Sequence, residues 1–244
     1  MKTNLAKKIV VASGKGGVGK STLTAGLAGA LTGLGKSVLV IDCDIGLRSL
    51  DLMLGVREMV VFDWGDLVLY RCEPQQAMLK TDGPVLLAAP LSNSDAFTRE
   101  NFRGLVKSFE NYFDYILIDA PAGITGGFRL AVGAADTGII VATPDEVCVR
   151  GGGIAADEMI EMGVFNPRLV INRFSKKAVF RDRLLNIDDV IDAAGIQLIG
   201  VVPEDGEVAF CATTGRPFPE NTPAGRAFKR IAGRLEGESL PLKL

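Results

Sequence analysis

Two lysines occur in one glycine-rich loop, at positions 15 and 20 of the segment "GKGGVGKS". The segment fits G-x-x-x-x-G-K-[ST] and lies between a β-branched run and a helical pattern, which is the context that this phosphate-binding motif requires. Its backbone N–H groups can surround phosphate oxygens, Lys20 can reach the β- and γ-phosphates, and Ser21 can ligate Mg²⁺. The residues predicted to bind the nucleotide phosphates are Gly14, Lys15, Gly16, Gly17, Val18, Gly19, Lys20, Ser21 and Thr22.

Three aspartates stand at the ends of hydrophobic runs. Asp42 and Asp44 follow "VLVI", and Asp119 closes "YILID". A carboxylate at a strand end beside a phosphate loop can hold Mg²⁺ directly or through water. Because the chain has no histidine, an aspartate is also the natural group to orient an attacking water molecule. Each aspartate taken alone is equally typical of a helix cap or a turn, and that alternative stays open.

Length and composition favour a single domain and exclude several kinds of chemistry. The chain has 244 residues, 48% of them hydrophobic, which favours one domain over residues 1–244 with a sizeable core. The absence of histidine removes the usual general base and the commonest zinc ligand. The net charge of −2 argues against a strongly basic nucleic-acid surface. No apolar segment is long enough for a signal peptide or a transmembrane helix, so we expect a cytoplasmic protein.

Short β-branched runs alternate with longer helical patterns along the chain. Most of the runs are continuously apolar, as expected for a parallel sheet covered by helices on both faces. The alternation predicts a doubly wound α/β fold with ligands at the carboxyl ends of the strands. The predicted strands are residues 8–13, 37–42, 84–89, 115–120, 138–143, 167–172 and 197–202. The predicted helices are residues 21–33, 63–70, 97–112, 127–135, 147–162, 186–194 and 222–236.

The loop "KGGVGKST" resembles the deviant Walker A motif of the MinD/ParA group of P-loop ATPases, whose mark is the extra early lysine. Within that group, residues 40–55, 117–124, 142–150 and 201–218 are similar to the MinD branch, the septum-site-determining ATPases of cell division. The similarity runs from about residue 7 to residue 236. The resemblance implies a slow, partner-stimulated ATPase that uses ATP and Mg²⁺, forms a homodimer with ATP and acts as a switch in septum placement.

The resemblance also implies a role for single residues. Lys15 would cross the interface of an ATP-sandwich dimer to the phosphates of the other subunit, Lys20 would serve its own nucleotide, and Asp44 would position the hydrolytic water. The implied metal ligands are Ser21, Asp42 and Asp119. The implied adenine contacts are Asn172, Pro203, Glu204 and Asp205. Asn172 is not followed by the Lys-x-Asp of a guanine reader, which favours ATP over GTP.

Three features depart from the pattern of that family. Its members end in a basic amphipathic membrane helix, whereas here only residues 238–244 follow the last predicted helix. An anchor therefore lies beyond Leu244, is supplied by a partner at the inner face of the cell membrane, or is not used. Residues 151–153 are glycines at a surface where the family binds regulators, which argues against the MinC-like and MinE- or MinJ-like partners that the resemblance implies. Thr125 stands where a glutamate is common.

Other ATPases of the same superfamily are the alternatives. A ParA-type DNA-partitioning ATPase would bind duplex DNA, and the near-neutral charge counts against it. An iron–sulfur carrier would place paired cysteines at its dimer interface, and the sequence has no C-x-x-C. A flagellar-placement relative of MinD is the nearest competitor. The sequence thus predicts a homodimer without a nucleic-acid partner.

Overall fold

The computed structural model describes residues 5–181 and 183–243. Residues 1–4, Asp182 and Leu244 lie outside the described residues, and so do both limits of the domain predicted over 1–244. The strands are β1 (Lys7–Ala12), β2 (Val38–Asp42), β3 (Met78–Lys80), β4 (Val85–Leu87), β5 (Tyr115–Asp119), β6 (Thr137–Ala142), β7 (Arg168–Phe174) and β8 (Gln197–Pro203). The α-helices are α1 (Lys20–Gly33), α2 (Leu50–Met53), α3 (Trp64–Val68), α4 (Pro74–Ala77), α5 (Arg99–Ser108), α6 (Gly126–Val132), α7 (Glu146–Glu161), α8 (Lys176–Phe180), α9 (Ile187–Ala194), α10 (Gly206–Thr214) and α11 (Pro223–Leu235), with a 3₁₀ turn at Arg57–Met59.

The described strands form one sheet in the order β3-β4-β2-β5-β1-β6-β7-β8. Neighbouring strands are parallel except β3, which pairs antiparallel with β4 at the edge. The predicted fold class, a doubly wound and mostly parallel sheet, is confirmed. The sequence did not predict β3, because a three-residue edge strand with an exposed Lys80 carries too little apolar pattern.

Helices cover both faces of the sheet and enclose two cores. Along β1, Val10 and Ala12 enter the core under α3, α5, α6, α7 and α9, whereas Ile9 and Val11 enter the core under α1, α10 and α11. Strands β2 and β5 are buried at every residue. Burial on both faces explains why these segments are continuous apolar runs instead of alternating ones.

Helix α7 runs without interruption through three consecutive glycines. Each glycine disfavours a helix, but at Gly152 and Gly153 close packing uses the missing side chain. A Cβ on Gly152 would lie 3.2 Å from Cγ2 of Ile140 in β6. A Cβ on Gly14 would lie 2.0 Å from the carbonyl oxygen of Gly151. The helix therefore packs against both the sheet and the glycine-rich loop.

The sequence pattern did not predict several short helices. Helix α2 has four residues, and α8 has five, so neither is long enough to show a helical period. Helix α10 has nine residues but contains a glycine and two threonines, which are poor helix formers. Its start is marked by Asp205, whose side chain accepts hydrogen bonds from the N–H groups of Glu207 and Val208.

The segment after α11 folds back onto that helix. Arg234 Nη2 donates to the carbonyl oxygen of Leu240 at 2.9 Å, and Arg230 Nη2 donates to that of Lys243 at 2.7 Å. In the described ranges, none of the helices combines the length and the apolar character needed to cross a membrane.

Candidate nucleotide site

The carboxyl ends of β1, β2 and β5 are neighbours in the middle of the sheet. Asp42 at the end of β2 is in register with Asp119 at the end of β5, and Asp119 is in register with Val11 of β1. The glycine-rich loop leaves β1 at this edge and enters α1 at Lys20. The parallel sheet thus brings the loop and two of the predicted aspartates to one place.

Residues 14–21 form a curled loop that opens α1. Gly17 and Gly19 have φ angles of 79° and 90°, in the left-handed region that glycine adopts without a steric penalty. Ser13 Oγ donates a hydrogen bond of 2.7 Å to the carbonyl oxygen of Lys15 and fixes the start of the loop. Gly19 offers no capping side chain to the first turn of α1. The N–H groups of that turn are therefore available to phosphate oxygens.

The two loop lysines lie in different surroundings. Lys20 is only 8% exposed, at the first position of α1. Lys15 is exposed. Burial alone would raise the pKa of Asp145, but hydrogen bonds from Thr143 and Cys148 and the charge of Lys15 outweigh it, so the pKa of that carboxyl is lowered. Lys15 therefore lies exposed at the rim of the loop, beside the start of α7, where its charge acts on Asp145.

Asp119 is a fully buried carboxylate held by two hydroxyl groups. Ser21 Oγ donates to its Oδ2 at 2.5 Å, and Thr24 Oγ1 donates to its Oδ1 at 2.9 Å. Burial and the nearby charge of Asp42 raise the pKa of Asp119 to about 7, although Ser21, Lys20 and Thr24 oppose the rise. A carboxylate in this state would be stabilised by a cation placed next to it.

Ser21 and Asp119 are thereby brought together as the sequence predicted. A hydroxyl and a carboxylate are the hard oxygen ligands that Mg²⁺ prefers, so the donor set fits that ion. Among the described residues, no group of three or more acidic, cysteine or histidine side chains is placed to hold a metal. The remaining ligands would be phosphate oxygens and water, as is usual for Mg²⁺.

Asp42 is buried and organises the loop that follows β2. Its Oδ1 accepts from the N–H of Asp44 at 2.9 Å, and its Oδ2 accepts from the N–H groups of Ser49 and Leu50 at 3.0 and 3.1 Å. Burial raises the pKa of Asp42 in spite of these hydrogen bonds. The contacts match the turn-forming alternative that the sequence left open, and metal binding by this carboxylate stays a prediction.

Asp44 lies where the loop after β2 faces the phosphate loop. Its side chain is partly exposed, and burial raises its pKa while the charge of Lys20 lowers it. Asp44 is thus the least buried of the three predicted aspartates and the one open to solvent. Those properties suit a group that orients water, which stays a prediction.

The residues predicted to contact adenine flank the other side of the loop. Asn172 Nδ2 donates to the carbonyl oxygen of Val18 at 2.8 Å, so this side chain supports the phosphate loop. The N–H of Glu204 donates to the carbonyl oxygen of Phe174 and joins β8 to β7. Asp205 caps α10 and also accepts from the N–H of Ala224 at 3.1 Å. Adenine binding by this group, with Pro203, stays a prediction.

Sequence reasoning missed three residues of the site. Thr24 orients Asp119, and Ser13 fixes the loop. Asp145 caps α7 beside the loop by accepting from the N–H of Cys148 at 3.0 Å. Thr24 lies four residues after Lys20, one turn further on the same face of α1, and that spacing is a signal that could have identified it.

Comparison with known proteins places this geometry in a family context. Residues 9–218 match the CobQ/CobB/MinD/ParA nucleotide binding domain. The septum site-determining protein MinD of Synechocystis sp. is 39% identical over 240 residues, which cover 96% of this chain and 90% of that protein. The structure of the MinC:MinD cell division protein complex from Aquifex aeolicus superposes with a TM-score of 0.90 at 38% identity, covering 98% of this chain and 99% of that chain. MinD of Pyrococcus horikoshii, solved with Mg-ADP, has a TM-score of 0.86 at 25% identity, covering 95% and 96%.

Proposed function

This chain belongs to the CobQ/CobB/MinD/ParA family of nucleotide-binding proteins, and from that premise we propose how its residues drive an ATP-dependent switch. The chain is a MinD-like ATPase for placement of the division septum, and its cofactors are ATP and Mg²⁺. The observation that supports the proposed site best is the convergence of Lys20, Ser21 and Asp119 at the carboxyl edge of the sheet. The identity to MinD favours septum placement over DNA partitioning.

In the proposed mechanism, Ser21 and Asp119 would hold Mg²⁺, and the ion would supply positive charge to the nucleotide phosphates. The hydrogen bond from Ser21 to Asp119 opens for this, and Asp119 releases its proton, because its pKa of about 7 lies near neutral pH. Thr24 keeps its hydrogen bond and holds the carboxylate in place. Asp42 holds the loop that carries Asp44 through its three backbone hydrogen bonds, and its carboxylate would support the metal site from there.

The two lysines have separate tasks in this proposal. Lys20, buried at the start of α1, binds the phosphates of its own nucleotide. Lys15, exposed at the rim, crosses to the nucleotide of a second copy and stabilises charge on the leaving group. Asp44, partly exposed near Lys20, orients the attacking water. Hydrolysis therefore depends on dimer formation.

Asn172 supplies a reason for the preference for ATP. Its Nδ2 is occupied by the carbonyl oxygen of Val18, and none of the described residues donates a hydrogen bond to its Oδ1. No buried side-chain polar atom among the described residues lacks a partner, so Oδ1 is open to solvent. An open acceptor fits the amino group of adenine and not the carbonyl of guanine. Pro203, Glu204 and Asp205 complete that wall of the proposed base pocket.

A MinC-like regulator is the partner that the comparisons support best, since the Aquifex aeolicus relative was solved as a MinC:MinD complex. We place its contact on α7, where Val147 and Ile154 are exposed although the helix contains three glycines. MinE- or MinJ-like regulators would use the same surface.

All four cysteines are free, which suits the cytoplasm, and the protein would act at the inner face of the cell membrane.

Two substitutions at the rim test the dimer mechanism. Lys15→Ala is expected to retain nucleotide binding as a monomer and to lose both ATP-dependent dimerisation and hydrolysis, because the phosphates lose the cation from the other copy. Asp44→Ala should dimerise with ATP and not hydrolyse it. Sedimentation velocity with ATP and phosphate release measure both, with Lys107→Ala, an exposed lysine of α5, as control. Normal hydrolysis by Lys15→Ala, or a monomeric Asp44→Ala protein with ATP, would contradict the mechanism.

A further inference from the structure

Residues 173–181, which contain the end of β7 and the whole of α8, are strongly basic. Four cations and no anion occur in these nine positions, which is a net charge of +4 within a chain whose total is −2. We call residues 173–181 the α8 patch. Its four cations are all exposed, namely Arg173, Lys176, Lys177 and Arg181.

The cations of the α8 patch have no acidic partner among the described residues. Elsewhere, lysines such as Lys7, Lys8 and Lys36 pair with carboxylates. None of the cations of the α8 patch forms an ion pair within the described ranges. Their charge is therefore exposed and unpaired as far as the described residues go, which suits an anionic partner.

A large aromatic side chain lies among these cations. Phe180 is 91% exposed, and α8 contains no buried residue at all. Lys176 and Lys177 precede Phe180 by four and three positions, so the three side chains lie within one turn of the helix. On the other side, Val179 packs against the core and ties the helix to the sheet. The α8 patch thus exposes an aromatic side chain beside two lysines.

We propose that the α8 patch is a contact site for an anionic lipid surface, with Phe180 inserted at the level of the headgroups and the cations on the phosphates. Cations beside an exposed ring match both components of a membrane surface, the charge and the apolar interior. Nucleic acid is less well matched, because single-stranded binding uses several aromatic side chains along a groove, and Phe180 stands alone on a short helix.

The α8 patch begins directly after a residue that supports the phosphate loop. Strand β7 carries Asn172, which supports the phosphate loop, immediately before Arg173. The lipid contact therefore lies at the carboxyl edge of the sheet, the edge that holds the nucleotide. The inference uses one protomer only and does not rest on the proposed dimer.

Vesicle sedimentation tests this inference with the full chain. Vesicles of phosphatidylcholine are compared with vesicles of equal parts phosphatidylcholine and phosphatidylglycerol. We expect binding only to the anionic vesicles, weakened roughly tenfold by Phe180→Ser and roughly fivefold for each of Lys176→Gln and Lys177→Gln. Phe165→Ser, which changes a ring that is 66% exposed in the loop before β7, should bind as the unaltered protein does.

A spectroscopic measurement separates insertion from charge attraction alone. Phe180→Trp adds an exposed indole to a chain whose one tryptophan, Trp64, is fully buried. A blue shift of the added emission on anionic vesicles is expected. Equal binding to neutral vesicles, unchanged binding after Phe180→Ser, or binding of random duplex DNA through the same cations in place of lipid would overturn the proposal. Retained nucleotide binding shows that each variant is folded.

Discussion

At the scale of single residues, Asp42 and Asp119 are partners in register but differ in what holds them. The carboxylate of Asp42 accepts from three backbone N–H groups, which belong to the loop and cannot leave without unfolding it. That of Asp119 accepts from the side-chain hydroxyls of Thr24 and Ser21, and the exchangeable contact is the one from Ser21, whose hydroxyl can rotate away. We therefore expect Asp119, and not Asp42, to be the aspartate whose protonation responds to a bound cation.

The pH dependence of metal binding tests that assignment. The pKa of Asp119 is raised to about 7 from its ordinary 3.8. Between these two pH values the folded protein without metal binds a proton that the unfolded chain has lost. Its free energy of unfolding therefore falls as the pH rises from 3.8 to about 7. In the proposed mechanism, Mg-ADP binding displaces that proton. Its affinity should therefore rise up to tenfold per pH unit below about 7 and level off above it, measured by calorimetry.

Two substitutions give the comparison for this pH dependence. Asp119→Asn has no proton to release and should lose most of the slope, together with affinity. Asp136→Asn changes an exposed carboxylate that pairs with Lys8 near the amino end of β1, and it should keep the slope of the unaltered protein. Equal slopes for Asp119→Asn and the unaltered chain would show that Asp119 is not the titrating group.

At the scale of elements, the contact between α7 and the phosphate loop depends on glycine on one side only. A Cβ on Gly14 would lie 2.0 Å from the carbonyl oxygen of Gly151, a distance that no packing adjustment of side chains can relieve. A Cβ on Gly151 would meet the backbone of Gly14 at 3.5 Å, an ordinary contact. Position 14 therefore requires glycine for packing, whereas position 151 does not.

Alanine at the two positions should have opposite effects. Gly151→Ala should raise the free energy of unfolding by about 0.5–1 kcal/mol through helix propensity and keep nucleotide binding. Gly14→Ala should displace the loop from α7 and abolish nucleotide binding. Thermal melting and a fluorescent ATP analogue measure the two effects. Loss of nucleotide binding in Gly151→Ala would mean that the contact is tighter than described.

At the scale of the whole molecule, Glu236 joins distant parts of the chain at the amino edge of the sheet. Its carboxylate accepts from Tyr115 of β5, pairs with Lys7 of β1 at 3.4 Å and pairs with Lys36 after α1. Hydrogen bonds from Lys36 and Tyr115 lower the pKa of Glu236 to about 2. The end of α11 is thereby held to the first strand and the first helix.

Removing this carboxylate charge should weaken the fold without affecting the nucleotide site. Glu236→Gln is expected to cost about 1–2 kcal/mol, since it removes charge from three contacts, and to leave Mg-ADP affinity unchanged. The lowered pKa means that this stability is present above about 4.5 and is lost as pH falls toward 2. Melting curves of both proteins at several pH values should converge in acid; parallel curves would exclude the carboxylate as the cause.

The sequence by itself determined the phosphate loop, the seven main strands and the doubly wound class. These are local properties: the glycines at 17 and 19 need left-handed φ angles, and a strand buried on both faces must be continuously apolar. The early Lys15 and the aspartates at strand ends are also visible in the linear order. Neighbouring residues suffice to predict such features, because backbone conformation and burial pattern depend on short segments of the sequence.

Only the tertiary structure decided which groups share a hydrogen bond. Ser21 and Asp119 are 98 positions apart, and Asn172 is 154 positions from Val18, yet each pair is in contact. The close approach of Gly14 to Gly151 likewise requires β1 beside β6 and α7 packed above them. Such contacts follow from strand order and helix placement, which are set by the burial of both sheet faces and not by any one segment.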